Sequence, residues 1–257
     1  MLSPRQAVRA LQVSAQDHGD HALTADVPTR RRELLRKLAT AGLLGGAGIS
    51  GLIREALADE RNPVRQGVRK MYGNVLINGK KIKPGAVIHP GDTIETAPDA
   101  KVVYVIGQDA FLQRGSSAVH FSSGTTAKVM RVITGKILSV FGKGKRSIAT
   151  STATIGIRGT GCYIDDEGSG ASARTYFCLC YGDVTVTPIA APQEQLSYTT
   201  THHEYPVFIY NELSMPKMVK PQMMLPAGVI DHTDAELILL ESLVGRQVPF
   251  SESDSYY

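Results

Sequence analysis

Residues 74–96 read NVLINGKKIKPGAVIHPGDTIET, and this stretch decides the fold. Val75, Leu76 and Ile77 form a short apolar run that stops at Asn78-Gly79. That pair accepts the positive φ of a two-residue hairpin. A second run, Ala86-Val87-Ile88, stops at His89-Pro90-Gly91-Asp92, and Thr93-Ile94-Glu95-Thr96 follows at once. Further out, Lys101-Val102-Val103-Tyr104-Val105-Ile106 is rich in β-branched residues and ends at Gly107. Val129–Ile133 and Lys136–Phe141 add two runs, expected to be strands parted by a turn at Thr134-Gly135. Turn signals recur roughly every 8–12 residues up to about Pro188, with no long helical period between them. The pattern predicts an all-β sandwich or roll of short strands.

The chain beyond Pro188 reads differently. Thr233-Asp234-Ala235-Glu236 is a capping box, and Leu237, Ile238, Leu240, Leu243 and Val244 recur at helical spacing until Gly245. One short C-terminal α-helix near 234–244 is expected. His232, beside that cap, reads as a surface or capping histidine. Met215, Met218, Met223 and Met224 lie in a Pro-interrupted segment and read as loop packing rather than a copper site. Residues 188–257 carry 3 basic and 9 acidic side chains, against 17 and 10 in residues 59–187. Opposite charges of that kind predict that the tail packs over the β body.

The whole chain of 257 residues is 42% hydrophobic and 20% charged, which excludes wholesale disorder. Its net charge of +4 invites a nucleic-acid reading until the charge is located. Residues 1–58 hold 8 basic and 5 acidic side chains, leaving 20 and 19 for the rest. The excess clusters at Arg30, Arg31, Arg32, Arg36 and Lys37, before the uncharged Leu38–Ile53. This layout predicts a targeting segment and no nucleic-acid partner. Arg31-Arg32-Glu33-Leu34-Leu35-Arg36 resembles a twin-arginine export motif, with Arg31, Arg32, Leu34 and Leu35 at its key positions. Ala56-Leu57-Ala58 offers a small-x-small cleavage site at Ala56 and Ala58. An ordinary secretory signal or an uncleaved inner-membrane anchor are the other readings of the same segment. The division expected is an export signal over 1–58, a linker over 59–71, a β domain over 72–188 and an extension over 189–257.

Several pieces of the β domain, in order, carry a family resemblance. They are Gly73-Asn74-Val75-Leu76-Ile77-Asn78-Gly79, Lys83-Pro84-Gly85, Gly91-Asp92-Thr93-Ile94-Glu95-Thr96 and Thr134-Gly135-Lys136-Ile137-Leu138. Ala153-Thr154-Ile155-Gly156-Ile157-Arg158-Gly159-Thr160 and Tyr181-Gly182-Asp183-Val184-Thr185-Val186 complete the set. Together they resemble the FecR domain, an all-β periplasmic module of bacterial envelope proteins. The resemblance implies a periplasmic location. In its best-known form it implies relay of a signal from an outer-membrane receptor to a cytoplasmic sigma factor. Only 29 residues precede Arg30, too few for a packed cytoplasmic domain. The resemblance therefore supports fold and compartment more than sigma-factor control.

Cys162, Cys178 and Cys180 are the only cysteines and fall within 19 positions. Cys178 and Cys180, two apart in a strand pattern, should share a face, with α-carbons roughly 6.5–7 Å apart, at the limit for a disulfide. A hairpin about the turn-rich Asp166–Ser172 would set Cys162 opposite residues near Cys178 and bring three thiols to one face. With His202 or His203 they would form a Cys3His set suited to zinc, copper or iron. Adjacent strand residues point to opposite faces, so one histidine of the pair is expected to ligate. The same spacing also allows a disulfide from Cys162 to Cys178 or Cys180, or three buried thiols that merely fill the core.

Glu204 and Asp165 are the nearby candidates for a general base, and no P-loop, nucleophile elbow or HExxH is present. The expectation is an exported, non-catalytic module that binds a ligand, a metal or an envelope partner and touches the membrane only during export. A membrane-anchored FecR-type regulator of iron-responsive transcription, and a small periplasmic metal or redox protein, are the alternatives.

Overall fold

In the computed structural model, Gly51 and residues 66–122, 128–211 and 222–251 are described. Arg31, Arg32, Leu34, Leu35, Ala56 and Ala58 of the expected export signal lie outside them, as do Met215 and Met218. No helix among the described residues is long and apolar enough to cross a membrane.

Among the described residues the fold is all-β with one short C-terminal helix. It begins with β1 (Gly67–Tyr72), β2 (Val75–Ile77), β3 (Lys80–Lys81), β4 (Thr93–Thr96), β5 (Lys101–Ile106), β6 (Asp109–Gln113) and β7 (Ser117–Phe121). Then come β8 (Lys128–Val140), β9 (Lys145–Ala149), β10 (Ala153–Glu167), β11 (Arg174–Pro188), β12 (Leu196–Thr200), β13 (Val207–Tyr210) and β14 (Met224–Pro226). They form a 14-stranded sheet ordered β14-β13-β11-β10-β9-β8-β7-β4-β2-β3. Off that path, β1 pairs β5, β5 pairs β6, β6 pairs β8 and β12 pairs β11. The hairpin at Asn78-Gly79 joins β2 to β3, with φ of 51° and 73° at the two residues. Ala86–Ile88, expected as a strand, takes no place in the sheet; Ile88 is nonetheless buried.

The turn expected at Thr134-Gly135 is absent. Both runs belong to one 13-residue strand, β8. Its first half pairs with β7 and β9, its second with β6 and β10, so the strand turns a corner between two sets of neighbours. Gly135 sits at that corner with φ 86°, and a Cβ there would strike Ser116 and Ser117. Glycine here marks a bend within a strand, which in sequence looks the same as a turn.

The hairpin β10–β11, with 15 residues in each strand, is the spine of the molecule. In-register pairs across the sheet share a face, so rows can be read directly from the register. Phe111, Ser139, Cys162 and Leu179 form one row, and Leu112, Leu138, Tyr163 and Cys178 the adjacent one, on the opposite face. The first row enters the main core with Tyr104, Ile137, Ile155, Ile164 and Phe177. The second faces the C-terminal helix α1 (Asp234–Leu243), whose nearest strands are β6 and β8. Thr233 caps α1: its side chain accepts from the Glu236 N–H, while Glu236 accepts from the Thr233 N–H. Leu237, Leu239, Leu240 and Leu243 are buried. Arg114 Nη2 bridges to Glu236 at 3.1 Å, and Arg246 Nε to Glu241 at 2.6 Å. β1 already begins at Gly67, within the segment expected to be a linker.

Candidate metal centre

Cys178 and Cys180 come from the middle of β11, where the strand has lost its regular outer partner. β12 pairs with Gly182–Val186 and β13 with Arg174–Phe177, so the intervening residues are spanned by the non-strand segment 201–206. That segment is fastened where the His203 N–H donates to the Cys180 carbonyl at 2.9 Å. His203 adopts φ 47° and Tyr205 φ 57°. A left-handed non-glycine residue costs on the order of 1 kcal/mol or more, and such strain collects at functional sites. The turn drives the His203 ring inward, beside the two thiols.

A third element supplies another imidazole. His232 immediately precedes the cap of α1 and is buried. Its Nδ1 lies 2.7 Å from the Ile230 carbonyl and its ring stacks on Tyr163, with centroids 4.7 Å apart. Assigning the Nδ1 proton to that carbonyl leaves the His232 Nε2 lone pair aimed at His203 Nδ1, 3.2 Å away. His203 Nε2 lies 2.8 Å from Asp234 Oδ1, which assigns its proton to that side and leaves Nδ1 facing Cys178 Sγ at 3.6 Å. Donor atoms of Cys178, Cys180, His203 and His232 all lie within 4.8 Å of one another, and all four residues are buried.

Two imidazole lone pairs face to face repel unless a proton or a metal cation lies between them. Around a tetrahedral ion with bonds of about 2.3 Å to sulfur and about 2.0–2.1 Å to nitrogen, the edges are roughly 3.6 Å for S···N and 3.4 Å for N···N. The observed 3.6 and 3.2 Å match those edges. Each histidine also donates its second ring N–H to a carboxylate or a backbone carbonyl, the outer-shell arrangement typical of metal-bound imidazole. Asp234 accepts from both neighbours: His202 Nε2 is 3.0 Å from its Oδ2 and His203 Nε2 is 2.8 Å from its Oδ1.

The electrostatics describe how the cluster balances charge. Cys180 acts most strongly on Cys178, and with His203 and His232 it holds that thiol well below its ordinary range, against the opposing effect of burial. Burial pushes the Cys180 thiol well above its own range, and the neighbouring Cys178 adds to this. Burial lowers the pKa of His203, but Asp234 and Cys178 outweigh it and raise the pKa to about 9. One thiolate beside one imidazolium therefore balances the site with protons alone. Two thiolates around a divalent ion balance it equally and satisfy both imidazoles.

Of the five residues expected to ligate, the structure brings three together: Cys178, Cys180 and His203. Cys162 is a correction. It pairs with Leu179, not Cys178, so its thiol enters the main core on the opposite face. The register supplies the reason: it runs unbroken from Glu167 opposite Arg174 to Cys162 opposite Leu179, and one residue of difference at the turn would have moved Cys162 to the other face. All three thiols are free and none is in a disulfide. His202 reaches Asp234 and stands outside the donor quartet. His232 is the second correction: expected as a surface or capping histidine rather than a ligand, it is buried among the donors. Its only sequence signal was its place one residue before a cap whose helix has to dock. Asp165 lies near Lys136, away from the quartet. Glu204 interacts with Thr200.

Cys178, His203 and Asp234 also stand in the order nucleophile, base and orienting carboxylate. A thiol with no exposed surface offers a substrate no approach, however, and Cys180 and His232 occupy the space around it. The outer side of segment 201–206 has a separate character. Tyr205 and Pro206 line an apolar cavity of about 680 Å3 with Tyr198, Val207 and Met224.

No protein-family model and no curated protein matches the chain. Among solved structures, the chain is similar to a "putative anti-sigma factor" from Parabacteroides distasonis, known at 1.65 and 2.50 Å resolution. Each superposes with a TM-score of 0.41 at 8% identity, over 53% of this chain and 59% of that one.

Proposed function

We propose that this chain is an exported bacterial envelope protein whose FecR-like β body is a non-catalytic metal-binding module. Its ligands are Cys178, Cys180, His203 and His232. The observation that carries the reading is the convergence of four buried donor atoms from β11, segment 201–206 and the lead-in to α1. A tetrahedral S2N2 set favours zinc. A Rieske [2Fe–2S] centre also takes two cysteines and two histidines, but on separate irons, whereas Cys178 Sγ and His203 Nδ1 lie 3.6 Å apart, as on a single ion. Two thiolates and two neutral imidazoles around a divalent ion carry no net charge, which suits a dry site. All four positions come from protein, so the centre is closed, as in structural sites. A folded chain loaded before transport also gives twin-arginine export a purpose.

Elemental analysis of purified chain tests this directly. One zinc per chain is expected in wild type and in Cys162→Ser, with loss of most of it in the Cys178→Ser, Cys180→Ser variant. Cobalt substitution should give the visible bands of a tetrahedral thiolate site. Wild type free of stoichiometric metal after growth and reconstitution with zinc would sink the proposal, as would full retention by the double variant.

A further inference from the structure

The four donors come from different parts of the chain, and that division suggests what the ion does. Cys178 and Cys180 belong to the sheet, whereas His232 sits two residues before α1 and Asp234 is the first residue of that helix. We infer that the metal fastens the C-terminal helix to the β body, with Asp234 as a positioning residue that ties the helix N-terminus to the ligand His203. The inference rests on the metal-binding reading above.

α1 has only ten residues, too few to persist without packing. Between Pro226 and Asp234 the chain runs without regular structure and is held by scattered polar contacts. The Tyr176 hydroxyl donates to the Gly228 carbonyl at 2.8 Å, Arg114 Nη2 donates to the Asp231 carbonyl at 2.5 Å, and Lys136 Nζ meets Asp231 at 2.5 Å. Each anchors the segment to the sheet at an edge or in partial contact with solvent. The helix itself buries Leu237, Leu240 and Leu243 beside β6 and β8, while the buried junction of its lead-in is the quartet, where His232 Nε2 meets the two thiols. An ion there joins β11 to the helix lead-in through bonds that neither element makes alone. Ligand binding to a site that exists only in the assembled state stabilises that assembly. Asp234 completes the link, because its carboxylate is buried and spans His202 and His203.

Helix docking and metal content can be read separately on the full chain. Amide hydrogen exchange across Leu237–Leu243 is compared in zinc-loaded protein, chelator-stripped protein and protein reloaded with zinc, with bound zinc counted in each sample. Stripping should speed exchange in this helix at least tenfold and reloading should restore it, while Ile94 and Val119 in the distant strands keep their rates. Stoichiometric zinc with unchanged helix exchange on stripping overturns the fastening role and leaves the metal reading standing. Uniform acceleration that includes Ile94 and Val119 overturns it also, since the ion would then support the whole body. Wild type that binds no zinc removes both. For Asp234→Asn, zinc affinity should fall about tenfold to a hundredfold with one zinc still bound at saturation. Unchanged affinity overturns the role given to Asp234.

Discussion

At the scale of single residues, the site turns on side chains whose surroundings come from distant parts of the chain. Cys162 and Cys178 are near neighbours in the hairpin yet lie on opposite faces, and only the register counted from Glu167–Arg174 at the turn tells them apart. Alternation was legible in Arg174–Tyr181, which is why Cys178 and Cys180 were correctly given one face. The residue at which pairing starts across the 168–173 turn has no such signature, so the face of Cys162 was not legible. Asp165 shows the same dependence on context. It occupies the helix-facing side of β10, two residues from Tyr163, with Lys136 Nζ 3.4 Å from its Oδ2. Burial, only partly offset by Lys136, lifts its pKa from 3.8 to about 6. A carboxyl whose folded pKa exceeds its unfolded one binds its proton more tightly in the native state. Its ionisation therefore removes stability as pH rises from about 4 through 6. Asp165→Asn should accordingly be more stable than wild type at about pH 7.5 and gain nothing at about pH 4. Urea midpoints at the two pH values check this, and a variant weaker than wild type at the higher one contradicts it.

At the scale of elements, local chemistry determined α1 and the β2–β3 hairpin almost completely. Thr233, Glu236 and Gly245 mark the helix ends from within a few residues, so the bounds of α1 are legible locally even though its persistence depends on packing. β8 is the contrary case. In sequence Thr134-Gly135 reads as a turn, because glycine between two β-branched runs most often closes a hairpin. In the fold Gly135 lets one strand leave β7 and β9 and join β6 and β10. Its cost of substitution follows from that corner. Gly135→Ala should destabilise the protein by more than about 2 kcal/mol, combining backbone strain with the clash at Ser116 and Ser117. Gly79→Ala, equally left-handed but facing open space, should cost about 1 kcal/mol. Chemical denaturation of the two variants separates a strained corner from a strained tip, and equal losses would count against the corner.

At the scale of the whole molecule, the sheet leaves a gap beside the middle of β11 and fills it with a histidine-bearing segment and a helix lead-in. The acidic tail does meet the basic β body, as its charge predicted, through Arg114–Glu236 and Lys136–Asp231. The proposed export of this assembly is tested on the chain recovered from the envelope of the producing cell. N-terminal sequencing should find Asp59 as the first residue, and a chain that retains Leu38–Ile53 in a membrane fraction would support the anchored alternative.

The sequence by itself determined the β class, the hairpin at Asn78-Gly79, the capped helix and the shared face of Cys178 and Cys180. Each depends on residues a few positions apart, where strand period, helix period and turn chemistry act directly. Only the tertiary structure decided that Cys162 turns away into the core and that His232, 52 residues beyond Cys180, turns in. Those outcomes depend on strand register and on where a helix docks. Both are set by burial of side chains far apart in the chain, which no local pattern encodes.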